Sequence, residues 1–308
     1  MEKEIIGRFA PTPSGRMHLG NVFAALLSWL SPKSKGGSWI LRMEDLDTLR
    51  TKSEYAELLR DDLRWLGLHW DEETEPQSAR SAVYDRYFAQ LEEKNLLYPC
   101  YCTRSQLHNV NAPHLSDGTY VYAGTCRNLT QAQRAEKKRL PSWRVRVPDR
   151  EFDLDDLVQG PYRENLAADC GDFVVRRADG VYVYQLAVTV DDGESGVTEV
   201  VRGWDLQSSA PRQMYLQELF GFDHPEYAHI PMLMAPEGRR LSKRDQDLDM
   251  GALRNRLKPE QLIGVLAHAA GLTETAAPIS AEELATVFDW SKIRGREIVV
   301  TELKKLCG

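Results

Sequence analysis

Two short segments near opposite ends of the chain hold the residue types needed to grip a nucleoside triphosphate from two sides. The first, Arg8-Phe9-Ala10-Pro11-Thr12-Pro13-Ser14-Gly15-Arg16-Met17-His18-Leu19-Gly20-Asn21, is a Pro/Gly-rich turn that runs into an apolar helix. The second, Arg239-Arg240-Leu241-Ser242-Lys243-Arg244, is a compact cationic loop. A glycine at position 20 lets backbone and adenine approach closely, and the helix that follows presents N–H groups to phosphate. His18 can donate to a phosphate oxygen whose charge grows as pyrophosphate departs, which is electrostatic stabilisation of a transition state. Lys243 supplies a point charge, and a mobile cationic loop can close on triphosphate as that charge develops.

Such segments need a scaffold, and the flanking sequence predicts one. Ile5 to Ala10 is strand-like, Asn21 to Leu30 carries an apolar helical face, and Ser38 to Glu44 is a second strand. Ser53 to Leu66 predicts an amphipathic helix: Tyr55, Leu58, Leu59, Leu63 and Leu66 recur at helical spacing, with Glu54, Glu57, Arg60, Asp61, Asp62 and Arg64 facing solvent. Strand–helix–strand order over 1–98 predicts an α/β fold with a doubly wound parallel sheet, whose ligands sit beyond the carboxyl ends of the strands. From 99 to 185 Cys, Gly, Pro and Asn rise, and Trp143 to Val147 and Phe173 to Arg176 read as antiparallel strands of an inserted subdomain. The α/β texture returns over 186–245, with Gly196 to Gly203 a strand and Gln207 to Phe220 a helix. Residues 246–308 read as a helical C-terminal segment punctuated by Pro259, Gly271 and Pro278.

Composition sets outer bounds. A chain of 308 residues, 42% hydrophobic and 28% charged, is expected to be globular and cytoplasmic. Its longest apolar runs, such as Val22 to Leu27, are far too short to span a bilayer, and Met1 to Gly7 lacks a signal-peptide layout. A formal charge of -7 argues against a broadly basic nucleic-acid binder, while leaving room for a local basic face at Arg134 to Arg146 or Lys292 to Lys305.

Five cysteines are an odd number, and Cys100, Cys102 and Cys126 crowd into one segment. That pattern fits a reducing compartment and a metal site better than a disulfide framework, with Cys170 and Cys307 as incidental thiols. Closed tetrahedral zinc coordination needs one more ligand, and ligand chemistry alone nominates His114 or His108.

In this order the two opening segments resemble the HIGH and KMSKS signatures of class I aminoacyl-tRNA synthetases. Arg8 to Gly15, Leu41-Arg42-Met43-Glu44-Asp45-Leu46-Asp47, Val190-Asp191-Asp192 and Val201-Arg202-Gly203 are similar to the glutamyl branch of that class. The resemblance covers about residues 5 to 245. Asn21 replaces the last histidine of the first signature, and Leu, Arg and Asp replace letters of the second; His18, Gly20 and Lys243 remain. It implies a Rossmann-type catalytic domain in two halves that condenses L-glutamate with ATP and Mg2+ to glutamyl-adenylate. The implied ATP site is Pro11, His18, Gly20, Asn21, Leu241, Ser242 and Lys243. Arg guanidinium pairs bidentately with carboxylate, so Arg8 and Arg202 are natural anchors, and Glu44 suits the α-ammonium. The implied glutamate pocket is Arg8, Phe9, Ala10, Pro11, Thr12, Glu44, Tyr184 and Arg202. The family pattern also nominates Tyr122 as fourth ligand of a structural zinc ion, with Cys100, Cys102 and Cys126.

Only about sixty residues follow Lys243, where a full-length glutamyl-tRNA synthetase carries a large helical anticodon-binding region. The resemblance therefore points to the short branch that activates glutamate without tRNA and transfers it to queuosine in the anticodon of tRNA(Asp). A minimal synthetase charging a tRNA 3′ end, or a non-catalytic binding paralogue, are the alternatives. A monomer with no membrane association is expected.

Overall fold

A computed structural model describes residues 4–107, 121–234 and 249–299. Leu241, Ser242 and Lys243, with His108, His114 and Cys307, lie outside the described residues. The chain begins with β1 (Ile6–Phe9), α1 (Leu19–Ser34), β2 (Ser38–Leu41), α2 (Ser53–Trp65), β3 (Glu72–Glu73) and α3 (Ser81–Glu93). The middle contains β4 (Leu97–Cys100), α4 (Arg104–Leu107), α5 (Gln131–Ala135), β5 (Ser142–Val145), β6 (Glu151–Asp156), β7 (Gly160–Asn165), α6 (Leu166–Asp169) and β8 (Phe173–Arg176). It continues through α7 (Tyr184–Glu194), β9 (Glu199–Gly203), α8 (Ala210–Phe220), β10 (Glu226–Ile230) and β11 (Met232–Met234). Helices α9 (Met250–Arg254), α10 (Pro259–Ala269) and α11 (Ala281–Ala285) precede β12 (Glu297–Val299).

Strands β1, β2 and β3 pair in parallel in that order, and β9 pairs in parallel with β10. β9 lies against the free edge of β1: Thr198 N donates to Ile6 O at 2.9 Å, and Arg8 Nη1 to Val201 O at 3.2 Å. The chain thus leaves β1 on one side, through α1 to β2, and returns on the other as β9. A crevice opens at such a switch point, beyond the carboxyl ends of the two strands. Here those ends carry Arg8-Phe9 and Arg202-Gly203.

Helix α1 is buried around most of its circumference, from Leu19 and Val22 to Trp29 and Leu30, as expected of a helix apolar on all sides. Gly7 of β1 permits its close approach, since a Cβ there would stand 3.0 Å from Pro32 Cγ and 3.3 Å from Ser28 O. Each buried Leu or Val of this interface contributes about 1.5–3 kcal/mol. The middle region forms an antiparallel sheet β4-β5-β8 and the hairpin β6-β7.

The structure departs from three sequence expectations. Helix α1 starts at Leu19 rather than Asn21, because His18 caps it, and runs on through Pro32 in its last turn. Asp62 does not face solvent: it is fully buried, because Arg16 Nη2 (3.1 Å) and Arg254 Nη1 (2.8 Å) both bind its Oδ1. The C-terminal segment is not helical throughout, since β12 pairs in parallel with β11 and gives that short strand its backbone partners.

Candidate active site

A cavity of about 420 Å³ opens at the switch point. Arg8 to Thr12, His18, Asn21, Glu44, Tyr184 and Arg202 all border it, so residues far apart in sequence share one space. Gly20 stands just outside, among the described residues expected at the ATP side.

His18 and Gly20 form a local unit. The His18 ring accepts from Gly20 N at Nδ1 (3.0 Å), and the Asn21 carboxamide oxygen accepts from His18 N at 3.3 Å. This reciprocal cap satisfies two of the orphan donors at the helix start. A Cβ on Gly20 would meet His18 Cε1 at 2.9 Å, so glycine is needed to let the ring fold over. The Gly20 N–H is therefore held by His18 and not left for a phosphate. Because Nδ1 accepts, the proton of a neutral ring resides on Nε2, the nitrogen able to donate outward.

Two acidic residues of α7 hold the cationic wall. Asp192 accepts from Arg8 Nε (3.2 Å) and from Arg42 Nη1 (2.7 Å). Burial opposes its charge, but the two guanidinium groups outweigh burial and keep the carboxyl below the usual range. Asp191 accepts from Gln77 Nε2 (2.8 Å), Arg80 Nε (2.8 Å) and the Tyr84 hydroxyl (3.0 Å). Glu44 is 3.3 Å from Arg42 Nη2; burial pushes its carboxyl up, against the pull of Arg42 and Arg8.

Arg202 is held differently. Its Nε donates to His229 Nε2 (2.9 Å), and Nη1 to Gln213 Oε1 (2.7 Å) and, more weakly, to the Tyr184 hydroxyl (3.4 Å). Nη2 is buried with no hydrogen-bond partner among the described residues. The guanidinium lies over the Tyr227 ring, 5.3 Å from its centroid. No carboxylate of the described residues reaches it.

The His18 side of the cavity is braced by charge. Arg16 borders the cavity, Arg254 sits on the helix that follows the second cationic segment, and buried Asp62 joins them. Met250 N donates to Met17 O at 2.9 Å, tying α9 directly to the residue before His18.

A second cluster lies in the middle region. The Sγ atoms of Cys100, Cys102 and Cys126 all fall within 4.8 Å of one another, with Cys102 and Cys126 at 3.7 Å. A zinc–sulfur bond of about 2.3 Å in a tetrahedron puts two thiolates roughly 3.8 Å apart, so the residues fit the ion. The Tyr122 hydroxyl stands 3.5 Å from Cys100 Sγ and accepts from Cys126 N at 2.8 Å. Arg144 packs over the Tyr122 ring, 3.7 Å from its centroid. Gly171, at φ 69°, leaves room for the Tyr122 backbone, which a Cβ would meet at 2.4 Å. Burial opposes the Cys100 thiolate, but Tyr122 and Arg144 overcome it and hold the thiol below its ordinary value. The basic run expected at Arg134 to Arg146 therefore divides: Arg144 and Arg146 turn inward onto Tyr122 and Tyr98, while Lys137, Lys138 and Arg139 stay exposed.

Four residues that shape the site carried no chemical assignment from sequence: Asp62, Asp156, Gln213 and His229. Each bears a side chain that elsewhere decorates a surface, and only burial marks it out. Among the described residues no helix is long and apolar enough to cross a membrane.

Residues 4–304 match the family of tRNA synthetases class I (E and Q), catalytic domain. A glutamyl-Q tRNA(Asp) synthetase of Symbiobacterium thermophilum is 45% identical over 303 residues, covering 94% of this chain and 94% of the relative. One from Nitratidesulfovibrio vulgaris is 44% identical, covering 96% and 95%. The crystal structure of a glutamate tRNA ligase from Elizabethkingia meningosepticum, in complex with its amino acid, superposes with a TM-score of 0.83 at 29% identity. That match covers 99% of this chain and 69% of the ligase.

Proposed function

This chain belongs to the class I tRNA synthetases of the glutamate and glutamine type, within the glutamyl-Q tRNA(Asp) synthetases, and on that premise we propose a two-step glutamyl transfer for it. It is a ligase. In the first step L-glutamate and ATP form glutamyl-adenylate and pyrophosphate without tRNA. In the second, a hydroxyl of queuosine in the anticodon of tRNA(Asp) attacks the mixed anhydride and AMP leaves.

The observation that carries this reading is the state of Arg202. A buried guanidinium with polar partners but no counter-ion is costly, and a ligand carboxylate removes that cost. Arg8 already shares Asp192 with Arg42, so its charge is largely balanced before substrate arrives. The α-carboxylate must stay available to attack the α-phosphorus. Arg202 therefore takes the side-chain carboxylate, which persists unchanged through both steps, with the Tyr184 hydroxyl beside it. Glu44 receives the α-ammonium, whose positive charge favours the ionised carboxyl against the upward push of burial. Phe9 to Thr12 and Arg8 close the wall between them.

ATP, carrying Mg2+, occupies the end bordered by Pro11, His18 and Asn21. The His18 Nε2–H donates to the triphosphate as negative charge moves toward the departing pyrophosphate, and Lys243 of the second segment acts from the other side. Gly20 serves indirectly, by letting His18 take its capped position. Cys100, Cys102, Cys126 and Tyr122 would hold a structural zinc ion. When bound, it cross-links the chain at a closed site, and no step of the reaction passes through it. The protein acts in the cytoplasm as a monomer.

Glutamate-dependent exchange of pyrophosphate into ATP, measured with no tRNA present, tests the first step. Exchange under those conditions is expected, and exchange that appears only when tRNA is added contradicts the reading.

A further inference from the structure

The atoms behind Arg202 form a directional chain that the proposed chemistry does not by itself require. Asp156, at the end of β6, and His229, on β10, are both buried, and His229 is fully so. His229 Nδ1 lies 2.5 Å from Asp156 Oδ2, while its Nε2 accepts from Arg202 Nε at 2.9 Å. An arginine N–H can only donate, so Nε2 must be bare and the ring proton must sit on Nδ1. Asp156 is itself immobilised: its Oδ1 accepts from Val158 N (3.0 Å), Gln159 N (2.9 Å) and His229 N (3.1 Å). Tyr227 stacks parallel to the His229 ring at 5.8 Å between centroids.

We propose that Asp156 and His229 are an orienting pair for Arg202. The carboxylate fixes His229 as the neutral Nδ1–H tautomer, whose bare Nε2 anchors the Arg202 Nε–H and so presents the guanidinium to a substrate carboxylate. His229 is a positioning residue. It touches no substrate, and it acts by keeping one acceptor where an ionised partner would otherwise neutralise Arg202. A carboxylate at position 229 would cancel the charge that recognises the ligand. A fixed neutral imidazole holds the guanidinium in place and leaves its charge uncompensated. The same pair links the end of β6 to β10 and so ties the β6-β7 hairpin to the residue that anchors Arg202.

The inference rests on Arg202 meeting a glutamate carboxylate, and the tests separate the two ideas. Nitrogen NMR of 15N-histidine-labelled protein, with His229 assigned by difference against H229Q, reads the tautomer directly. Protonated Nδ1 with unprotonated Nε2 at neutral pH is expected, and a protonated Nε2 overturns the pair. In glutamate-dependent pyrophosphate exchange, H229L should raise the KM for glutamate about tenfold or more, leaving the KM for ATP unchanged. H229Q, whose Oε1 can accept where Nε2 did, should recover most of that loss. Equal losses in H229L and H229Q, or a loss in the ATP term, overturn the positioning role. D156N reverses the donor at Nδ1, drives the ring to the Nε2–H tautomer and should mimic H229L. If R202Q leaves the glutamate KM unchanged, the assignment of Arg202 fails, while the tautomer measurement still decides the Asp156–His229 arrangement.

Discussion

Arg8 and Arg202 flank one cavity from neighbouring strands, yet only Arg8 meets a carboxylate among the described residues. Its Nε lies 3.2 Å from Asp192, whereas Arg202 spends Nε on His229 and Nη1 on Gln213 and keeps Nη2 without a partner among the described residues. The asymmetry separates the two roles. Arg8 is part of a structural network with Arg42, Asp191 and Asp192, and Arg202 is the cation that meets no carboxylate among the described residues.

Replacing Arg202 should therefore act on glutamate alone. R202Q is expected to raise the glutamate KM about 100-fold or more, because a charge-assisted contact of a buried guanidinium is lost. The ATP KM should stay within about threefold, since nothing of Arg202 touches the His18 end. Steady-state exchange kinetics with each substrate varied in turn measure both, and a shared loss contradicts the assignment.

Asp62 should govern the triphosphate end. D62N leaves Arg16 and Arg254 without the buried carboxylate that joins them, at a cost of about 2 kcal/mol after allowing for their partial exposure. The urea midpoint should fall accordingly, and the ATP KM should rise because Arg16 borders the cavity. Unchanged stability, or a defect confined to glutamate, contradicts this.

The cysteine cluster predicts one zinc ion per chain by elemental analysis. C102S should lose the metal, and Y122F should weaken its retention against a chelator. If H114A releases the ion while Y122F keeps it, the fourth ligand is the histidine.

Stability should also depend on pH through His229. Burial, then the positive charge of Arg202 and Arg8, overcomes the pull of Asp156 and pushes the imidazole down to about 4. Asp156 moves the same way, since burial opposes its charge but His229 and its backbone donors outweigh it. Both folded values lie below the unfolded ones, so this stability is present above about pH 6.5. As pH falls from there to 4 the unfolded chain takes up the imidazole proton first, and roughly 3 kcal/mol is lost. Denaturant melts of wild type and H229Q between pH 7 and 4 measure it, and equal slopes contradict the prediction.

The sequence displayed the recognition side of this site more clearly than its support. Arg8, His18, Glu44, Tyr184 and Arg202 are residue types whose chemistry speaks for itself once the signature segments place them, and the cavity brings them together. Strand β8 and helix α2 are equally plain from their periodicity. Periodicity places Asp62 on the solvent face because its helix position lies among charged neighbours, whereas the fold buries it. Periodicity reports where a side chain points on an isolated helix, not which arginines arrive from elsewhere to cover it. His229 and Asp156 are separated by more than seventy residues and follow no spacing rule, so only the packing of β6 beside β10 reveals them. Strand β12 is hidden in the sequence for a related reason. Three residues carry almost no periodic signal, and their pairing with β11 is a tertiary event.

The most direct measurement is transfer of radiolabelled glutamate to purified tRNAs, with ATP and the intact protein. Label should appear on tRNA(Asp) from a strain that makes queuosine, and be absent from the same tRNA lacking queuosine and from tRNA(Glu). Equal charging of tRNA(Glu), or of tRNA(Asp) without the modified base, contradicts the proposed acceptor.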